Sequence, residues 1–520
     1  MPSSGHSVDL DAALKHCASE QVHTPGHIQS HGALIAVDNE TLEIKYASET
    51  TVDLLRVRHD LLLGRSLNGV FSRRAQDILS QWMLPPDNSS NTSHFGRVAF
   101  GQNDVLVTST GAGGMTLFEF EAPQKDGDHG IGALNETEPL LKKTCAASTY
   151  QELFDTSVQF LQALTGYDRV MVYSLDSENN GTVVSEATCD GYESFLGLRF
   201  PAWDIPPQAR AMMLKQPLRY IADVDAKPSP LRAFDPSAAD LDLTRTQLRG
   251  VSPVHLEYLR NMNVRSSLSL NIMLRGRLWG TVSLHHGVPR YPDQSLRQFC
   301  LRFAEFFNDR LEALVHKRRL SSWHKSCSDL VNPSYEKRRL AHLVNALEAD
   351  GGVLIQNQHI VRFGQAPSRD KIRTLVKRHT VPDGITTTSS LLKTNPDLAA
   401  LLGPEFAGMF TVRRGNAFTL VFFRLSKERL VTWAGAPEKT LEDQTGAARL
   451  RPRTSFAAHS LVAKNASLPW TAEHCCIADT VLEHGLAAQE DETRGQSIPD
   501  RSDLSGTDLY EMFNELHLNR

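Results

Sequence analysis

One acidic residue among prolines and large apolar side chains is the first candidate for chemistry in this chain. Asp204 lies within residues 200–207, which contain three prolines and three large apolar residues. The prolines stiffen the backbone and remove three amide donors. A carboxylate with such neighbours needs hydrogen-bond donors to offset the loss of water. The segment therefore predicts either a turn in which Asp204 caps the next helix, or a carboxylate that faces a buried ligand carrying N–H groups.

A predicted β-hairpin carries a second group of polar residues. Residues 267–272 and 278–286 form its two strands, and side chains along a strand alternate between two faces. The residues that share a face are Ser267, Ser269 and Asn271 on the first strand and Thr281, Ser283 and His285 on the second. One face of a hairpin is commonly exposed to water. A face with hydroxyls and an imidazole, but with no Lys or Glu, is more typical of a polar pocket.

The elements that position these groups belong to a large globular chain. Its 520 residues predict about three domains. The net charge of -5 argues against nucleic acid or an anionic membrane as an obligatory partner. No apolar run is long enough to span a membrane, and no signal peptide is recognised. The 7 cysteines form no C-x-x-C pair, so neither a disulfide framework nor a zinc ribbon is indicated. The low cysteine content predicts a cytoplasmic protein.

Shifts in composition divide the chain into consecutive segments. The expected segments are an arm at 1–30, a domain at 31–125, a linker at 126–144, a domain at 145–320, a domain at 321–490 and a flexible tail at 491–520. In the third domain we predict strands at 353–362, 408–413, 417–424 and 430–433. The pattern then fails for some forty residues, which indicates a functional arm or disorder.

A long helix is predicted at 294–319, where aromatic residues recur at helical spacing. Its apolar stripe could pack on its own domain or against a second chain. The same helix is expected to join the second and third domains.

Five motifs, in order along the chain, resemble those of the bacterial phytochromes. They are Cys17 with the following Val-His-x-Pro-Gly-x-Ile28-Gln, Pro-x-x-Asp204-Ile-Pro, Ser-Pro-x-His255-x-x-Tyr258-Leu, Leu-Trp-Gly followed by His285-His286, and Pro-Arg453-x-Ser455-Phe. The resemblance covers about residues 10–490. It implies an α+β fold of three consecutive α/β-sandwich sensor domains (PAS, GAF and PHY) with long connecting helices. An N-terminal knot and a PHY tongue at about 435–475 are also implied.

The resemblance implies a bilin chromophore, biliverdin IXα, attached covalently. Cys17 would form a thioether with the A-ring vinyl group. Plant-type phytochromes instead use a cysteine just before the histidine of the Ser-Pro-x-His motif, and Val254 stands at that position here. The arm is expected to thread a loop of the GAF domain as a knot, with Ile28 near the crossing.

The family motifs also assign side chains to parts of the chromophore. Propionate ligands are expected at Arg219, Arg249, Ser267 and Ser269; pyrrole-nitrogen partners at Asp204 and His255; a D-ring carbonyl partner at His285; and D-ring neighbours at Tyr173, Phe200 and Tyr258. The rest of the expected chromophore-binding set is Ile28, Ile205, Pro206, Met213 and Ser252. No catalytic residue and no metal ligand is expected.

In this family light isomerises the bilin D-ring between Z and E forms, which implies a red/far-red photoreceptor here. Arg453 is expected to pair with Asp204 in the red-absorbing state. After isomerisation the tongue is expected to refold from hairpin towards helix, and Ser455 would take over the contact to Asp204. The tongue residues singled out are Arg453, Ser455, His459 and Trp470.

Four positions depart from the family pattern. Trp203 stands where serine is usual, Met213 where tyrosine is usual, His459 in place of an aromatic residue and Leu461 in place of glutamate. We expect assembly with biliverdin together with an atypical photoproduct.

The sequence contains no histidine-kinase motifs, so we expect no enzyme activity. A signal would pass to an unidentified partner protein, from a homodimer formed through the GAF and PHY helices. The segment 508–518 could be part of that contact. The alternative is a photochemically impaired sensor or scaffold that binds a bilin or haem, with His255 and His285 as possible iron ligands. An enzyme is the third possibility, but no nucleophile–base–acid constellation supports it.

Overall fold

A computed structural model describes residues 20–84, 94–123, 133–328, 334–356, 359–379, 381–438, 440–444 and 447–484. Among the predicted site residues, Cys17 lies outside these ranges. The tail at 491–520, with the segment 508–518, lies outside them as well.

The N-terminal domain (residues 20–123) is a sheet with short helices on one side. Its strands are β1 (His27–Ile28), β2 (Gly32–Asp38), β3 (Ile44–Ser48), β4 (His94–Phe100), β5 (Asn103–Ala112) and β6 (Met115–Glu121), and its helices are α1 (Thr51–Leu55), α2 (His59–Leu62) and α3 (Arg73–Gln81). Alternating apolar residues of the strands pack against the helices in one core.

The middle domain (residues 133–328) places a sheet between helices. Its elements are α4 (Leu134–Ala146), α5 (Tyr150–Thr165), β7 (Arg169–Leu175), β8 (Gly181–Thr188), β9 (Arg199–Phe200), α6 (Pro207–Lys215), β10 (Leu218–Ile221), β11 (Ser229–Ala233), α7 (Pro253–Asn261), β12 (Ser266–Leu274), β13 (Arg277–His286) and α8 (Gln294–Ser328).

The C-terminal domain (residues 334–484) has a second α/β core and a long excursion. Its elements are α9 (Tyr335–Ala346), β14 (Gly351–Gln356), β15 (His359–Gly364), α10 (Arg369–Arg378), β16 (Gly384–Thr388), α11 (Leu391–Thr394), α12 (Pro396–Leu402), β17 (Phe406–Arg414), β18 (Phe418–Leu425), β19 (Arg429–Ala434), β20 (Thr440–Gln444), β21 (Ala447–Arg451), β22 (Ala458–Ala463) and α13 (Ala472–His484).

The strand order shows that two of the sheets cross domain limits. The first sheet runs β1-β11-β3-β2-β6-β5-β4, so a strand of the middle domain completes it. The second runs β10-β12-β13-β7-β8-β9-β19-β22, so two strands of the C-terminal domain extend it. The C-terminal sheet is β15-β14-β18-β17-β16, and β20 and β21 form a separate hairpin.

The N-terminal arm is held between two parts of the middle domain. On one side Ile28 pairs with Ser229 of β11, and on the other it bridges to Arg249. The amide of Gln29 donates to the carbonyl of Leu248 at 2.8 Å. Ile28 is completely buried. The expected meeting of arm and loop is therefore present, and the long connection between β10 and α7 contains the strand β11.

Three predictions about elements need correction. Residues 134–144 of the expected linker are part of α4, because Leu134 and Leu141 on one face are buried in the core of the middle domain. The single strand predicted at 353–362 is the pair β14 and β15, in which Val353 lies opposite Arg362. The segment after residue 433 is regular in the described ranges, with strands β20 to β22 and helix α13.

The aromatic stripe of α8 packs on its own domain. Phe299, Phe303 and Phe307 are completely buried in the core shared with α5. The stripe is thus not available for a second chain. None of the helices in the described ranges is long and apolar enough to cross a membrane.

A buried ion pair joins α8 to the N-terminal sheet. Arg297 donates to both carboxylate oxygens of Glu121, at 2.8 and 2.6 Å. The hydroxyl of Tyr220 also donates to Glu121, at 2.7 Å. The two charged side chains are 3% and 13% exposed, so each charge depends on the other to offset its loss of water.

We expect Arg297→Met to lower the free energy of unfolding by about 3–5 kcal/mol, because it leaves the Glu121 carboxylate buried without its cation. The matched control is Arg302→Met on the same helix, whose ion pair with Glu305 is exposed and contributes about 0–1 kcal/mol. Chemical denaturation of the two variants measures the difference. Equal losses would show that the buried pair does not join the domains.

Candidate functional site

A cavity of about 340 Å³ lies between the middle sheet, α6, α7 and the excursion of the C-terminal domain. Most of the predicted site residues lie on its wall. Those that do are Tyr173, Phe200, Asp204, Ile205, Pro206, Met213, Arg219, Arg249, Ser252, His255, Tyr258, Ser267, Ser269, His285 and Arg453. The sequence therefore identified residues that the fold brings together from distant parts of the chain.

The floor of the cavity is the polar face of β12 and β13. Cross-strand pairs form three rows, which are Ser267 with His285, Ser269 with Ser283, and Asn271 with Thr281. All six residues line the cavity. The predicted shared face is confirmed, and it faces an internal space rather than bulk water.

Asp204 lies at the end of a short 3₁₀ turn, Ala202–Asp204. Its carboxylate accepts a hydrogen bond from the hydroxyl of Tyr258 at 3.0 Å and a shorter one from the Arg453 guanidinium. Burial raises the pKa of Asp204 to about 6, although Arg453 and Tyr258 act in the opposite direction. The helix-cap alternative is wrong, because Pro206 is the N-cap residue of α6 and no side chain caps it.

The excursion of the C-terminal domain closes one side of the cavity. Trp433 of β19 pairs with Arg199 of β9, which attaches the excursion to the middle sheet. The ring of Phe456 packs on Tyr258, with ring centroids 5.1 Å apart. Arg453 reaches past it to Asp204, and its side chain is only 6% exposed. The excursion thus buries the cation that the Asp204 carboxylate needs.

Two arginines on the cavity wall differ in their use of donors. Arg219 donates to the backbone carbonyls of Gln247, Arg249 and Gly250 at 3.2, 2.6 and 3.0 Å. Arg249 has buried Nε and Nη1 atoms with no hydrogen-bond partner among the residues that the structure describes. Burial lowers the pKa of Arg249 to about 10, so this side chain remains a cation at neutral pH. Of these two arginines, Arg249 is the one with donors to spare for an anion.

The two histidines of the cavity are neutral at physiological pH. Burial, followed by the charge of Arg219, lowers the pKa of His255 to about 4. Burial, followed by the charge of Arg169, lowers the pKa of His285 to about 3. The Nδ1 atom of His285 is buried and has no partner in the described part of the chain. A neutral imidazole offers one donor and one acceptor to a ligand.

Family models match the chain in three consecutive regions. A PAS fold matches residues 17–123, a GAF domain 149–314 and a phytochrome region 334–492. A bacteriophytochrome from Xanthomonas campestris pv. campestris is 30% identical over 503 residues, which are 91% of this chain and 78% of that protein. The chain belongs to the phytochrome family. The predicted resemblance and the fold class of three successive sensor domains are confirmed, and no kinase domain is among the matches.

Other relatives agree with this assignment. Cyanobacterial phytochrome B from Nostoc is 28% identical over 497 residues, which are 89% of this chain and 64% of that protein. The chain thus spans less than two thirds of the Nostoc relative. The phytochrome photosensory core module of Stigmatella aurantiaca has 27% sequence identity and a TM-score of 0.71, with 92% of this chain and 99% of that one covered.

Four predicted site residues of this phytochrome lie away from the cavity wall. Ile28 is buried where the arm meets the GAF loop. Trp470 is completely buried in the PHY core, 5.1 Å from Phe410 between ring centroids. Ser455 and His459 are exposed, and His459 lies opposite Trp433 in the β19–β22 ladder. The excursion that carries Ser455 and His459 is the tongue, and in this structure it is formed mainly by β-strands.

Sequence reasoning missed several residues of the wall, most clearly Gln216. Its side-chain N–H donates to the carbonyl of Thr246 at 3.0 Å, and its Oε1 atom has no partner in the described ranges. Asn271 donates to the carbonyls of Gln216 and Met213, and its Oδ1 atom is likewise without a described partner. Strand alternation identified Asn271, but Gln216 precedes β10 and has no periodic signal.

We expect Arg453→Met to release the tongue, because the variant leaves the Asp204 carboxylate buried without its cation. Hydrogen exchange of residues 452–463 should become faster by at least about tenfold, which corresponds to 1.4 kcal/mol. Lys464→Met, an exposed change in the same segment, is the matched control. Unchanged exchange in Arg453→Met would show that other contacts hold the tongue.

Asp204 should also make the stability of the protein depend on pH. Burial raises its pKa to about 6 in the folded protein, so folding takes up a proton at this group. The contribution of the protonated acid to folding is complete below the ordinary pKa of 3.8 and is lost as the pH rises through about 6. Chemical denaturation should therefore show a larger fall in the free energy of unfolding over this range in the wild type than in Asp204→Asn. An identical fall in both proteins would assign the effect to another group.

Proposed function

We propose that this phytochrome is a red/far-red photoreceptor that binds biliverdin IXα covalently and signals through isomerisation of the bilin D-ring. The observation that carries the proposal is the set of unused polar atoms on the cavity wall. Buried groups without partners are rare in folded proteins, and here they converge on one space. A ligand with carboxylates, ring N–H groups and carbonyl oxygens would satisfy them.

The residues present fit biliverdin at its acidic side chains. Arg249 offers Nε and Nη1 to a propionate, and a guanidinium matches a carboxylate with two parallel hydrogen bonds. The hydroxyls of Ser267 and Ser269 lie on the same wall. Arg219 is a weaker candidate for the first propionate, since three backbone carbonyls already accept from it. We assign it to positioning the segment that carries Arg249.

The residues also fit the nitrogen-bearing part of a bilin. Asp204 and the neutral His255 would hold the pyrrole nitrogens, and His285 would bond the D-ring carbonyl. Tyr173, Phe200 and Tyr258 would surround the D-ring, together with the neighbouring Ile205, Pro206, Met213 and Ser252. When bound, the bilin supplies light absorption and a double bond that rotates. The protein then has to couple that rotation to the tongue.

Asp204 is the group best placed for this coupling. Its carboxylate contacts the tongue through Arg453 and the wall through Tyr258. A change in the surroundings of either partner alters the hydrogen bonds available to the same two oxygens. We propose that displacement of Tyr258, which would line the D-ring of a bound bilin, weakens the pairing of Arg453 with Asp204, and that Ser455 takes over the contact to Asp204 after the tongue refolds.

Cys17 is proposed as the attachment residue because of where the arm enters the cavity. Glu20 and Val22 line the wall. Three residues of extended chain span up to about 10 Å, so Cys17 can reach the same space from Glu20. The cysteines whose side chains the structure describes lie outside the cavity wall, and they are Cys145, Cys189, Cys300, Cys475 and Cys476. Val254 occupies the plant-type attachment position on that wall.

The photoproduct is proposed to be atypical. Trp203 lines the cavity beside Asp204, where the family usually has serine. His459 stands in place of the usual aromatic residue and lies opposite Trp433, and this replacement would remove part of the change in register between the two tongue states. Leu461 is 41% exposed on the outer tongue strand in place of the usual glutamate. These changes alter the relative stability of the two tongue forms.

The output is proposed to pass to a separate protein in the cytoplasm. The matched domains are sensors, so we propose no enzyme activity for this chain. A homodimer would form through outer faces of the GAF and PHY helices, because the inner stripe of α8 is buried.

Absorption spectra of the chain with biliverdin test the proposal. We expect a red band that bleaches reversibly into a far-red band under red light, and retention of the bilin on a denaturing gel. Cys17→Ser should lose that retention. Arg249→Leu should weaken binding by about tenfold or more, the loss expected for a charge-assisted hydrogen bond. Arg245→Leu, an exposed arginine four residues earlier, is the matched control.

Three results would contradict parts of the proposal. A bilin band that does not respond to light would indicate the impaired sensor or scaffold. Absorption typical of haem, lost in His255→Ala or His285→Ala, would identify a haem protein instead; both histidines are neutral and on the wall. Retention of the bilin by Cys17→Ser would show that another residue forms the covalent bond.

A further inference from the structure

The segment 247–250, which carries Arg249, is held from three directions. The arm binds it through the amide of Gln29, which donates to the carbonyl of Leu248 at 2.8 Å. The GAF sheet binds it through Arg219, whose N–H groups donate to three of its carbonyls. The PAS sheet binds it through Glu119, whose Oε1 atom accepts from the amide of Leu248 at 2.6 Å. The backbone of Arg249 is therefore held in place by contacts from the PAS domain, the GAF sheet and the N-terminal arm.

Packing around Leu248 shows how closely the PAS domain approaches. Leu248 is completely buried in a cluster with Ile28, Leu34 and Leu117. A Cβ added to Gly32 would lie 2.4 Å from the Leu248 side chain, so only glycine fits beside it. A shift of Leu248 would move the backbone of its neighbour Arg249, because the two residues are covalently adjacent.

Glu119 is an unusual group for such a contact. It is 1% exposed, and its Oε2 atom has no partner in the described residues. The charged and titratable groups facing it are Glu121 on the same strand, Arg297 on α8, and Arg219 and Tyr220 on β10. Arg297 is already paired with Glu121, and Arg219 with backbone carbonyls. An ionised Glu119 would thus have a buried oxygen without a donor, which is unfavourable.

We propose that Glu119 is a positioning residue for Arg249, and that its ionisation loosens the segment 247–250 and so weakens the hold on a carboxylate ligand. The neutral acid keeps the Leu248 hydrogen bond without a buried charge. The ionised acid gains when the PAS contact opens and water reaches Oε2. Only the statement about the ligand rests on the proposed function, since the loosening itself is a property of the chain.

The direction of the effect follows from proton linkage. Burial, opposed by the Leu248 amide and reinforced by Glu121, raises the pKa of Glu119 to about 7. In an opened contact the acid returns towards its ordinary pKa of 4.5, so the closed contact binds the proton more tightly. The open fraction therefore rises by about tenfold for each pH unit between about pH 4.5 and pH 7, and it stays constant above about pH 7.

Hydrogen exchange of the chain without chromophore tests the loosening directly. Exchange at the amide of Leu248 is measured from about pH 5 to pH 8, relative to the unfolded peptide at the same pH. Protection in the wild type should fall by about tenfold for each pH unit between about pH 5 and pH 6.5 and should level off above about pH 7. Glu119→Gln, a neutral side chain of the same shape, should keep constant protection. Glu40→Gln, at an exposed acid of the same domain, should behave as the wild type.

Constant protection in the wild type would overturn the proposal, and so would an equal fall in Glu119→Gln. If Glu119→Gln does not fold, Glu119→Met supplies a second neutral side chain of similar length.

The effect on the ligand is tested with Cys17→Ser, in which biliverdin can dissociate. Its dissociation rate should rise with pH in parallel with exchange at Leu248, and should not rise when Glu119→Gln is added. A pH-independent rate would overturn the link to Arg249. Failure of biliverdin to bind at all would contradict the proposed function while leaving the exchange result as the test of Glu119.

Discussion

The arrangement of this phytochrome depends on a buried carboxylate whose cation comes from another domain. Asp204 lies in the GAF domain among apolar neighbours, and Arg453 reaches it from the PHY tongue. Neither charge is favourable in that position alone, because the loss of water is offset only by the partner. The tongue strands, the Phe456 contact and the closed cavity wall all accompany this pairing. A single ion pair thus connects the ligand site to the position of the PHY domain.

The sequence predicted the parts of the site that follow from local rules. Alternation along a strand placed Ser267, Ser269 and Asn271 on one face, and the surroundings of Asp204 called for donors from elsewhere. The family motifs then identified Arg453 as the donor. Helix α4 was missed because the Gly- and Asp-rich residues before it indicate a linker and its apolar positions are few.

Other properties of the site depend on contacts between distant residues. Arg219 and Arg249 have the same side chain and lie in the same cavity, but one is bound to backbone carbonyls and the other has free donors. Nothing in the local sequence distinguishes them. Gln216 and Glu119 are likewise defined by tertiary partners, respectively Thr246 and Leu248. Sequence reasoning found which residues meet, and the structure determines which atoms remain unused.

The strand order of the middle sheet determines how easily the tongue can separate from the GAF domain. Six of its strands come from the GAF domain and two from the tongue, and the seam between them is the one residue pair of Trp433 and Arg199. Along the GAF side of that seam, β9 has only two residues. A tongue that leaves the sheet would therefore break few backbone hydrogen bonds at the seam, while β19 and β22 could separate or stay paired as a unit. The sheet is continuous when the tongue is closed, and the contact between β9 and β19 is the place where it separates with the least loss of pairing.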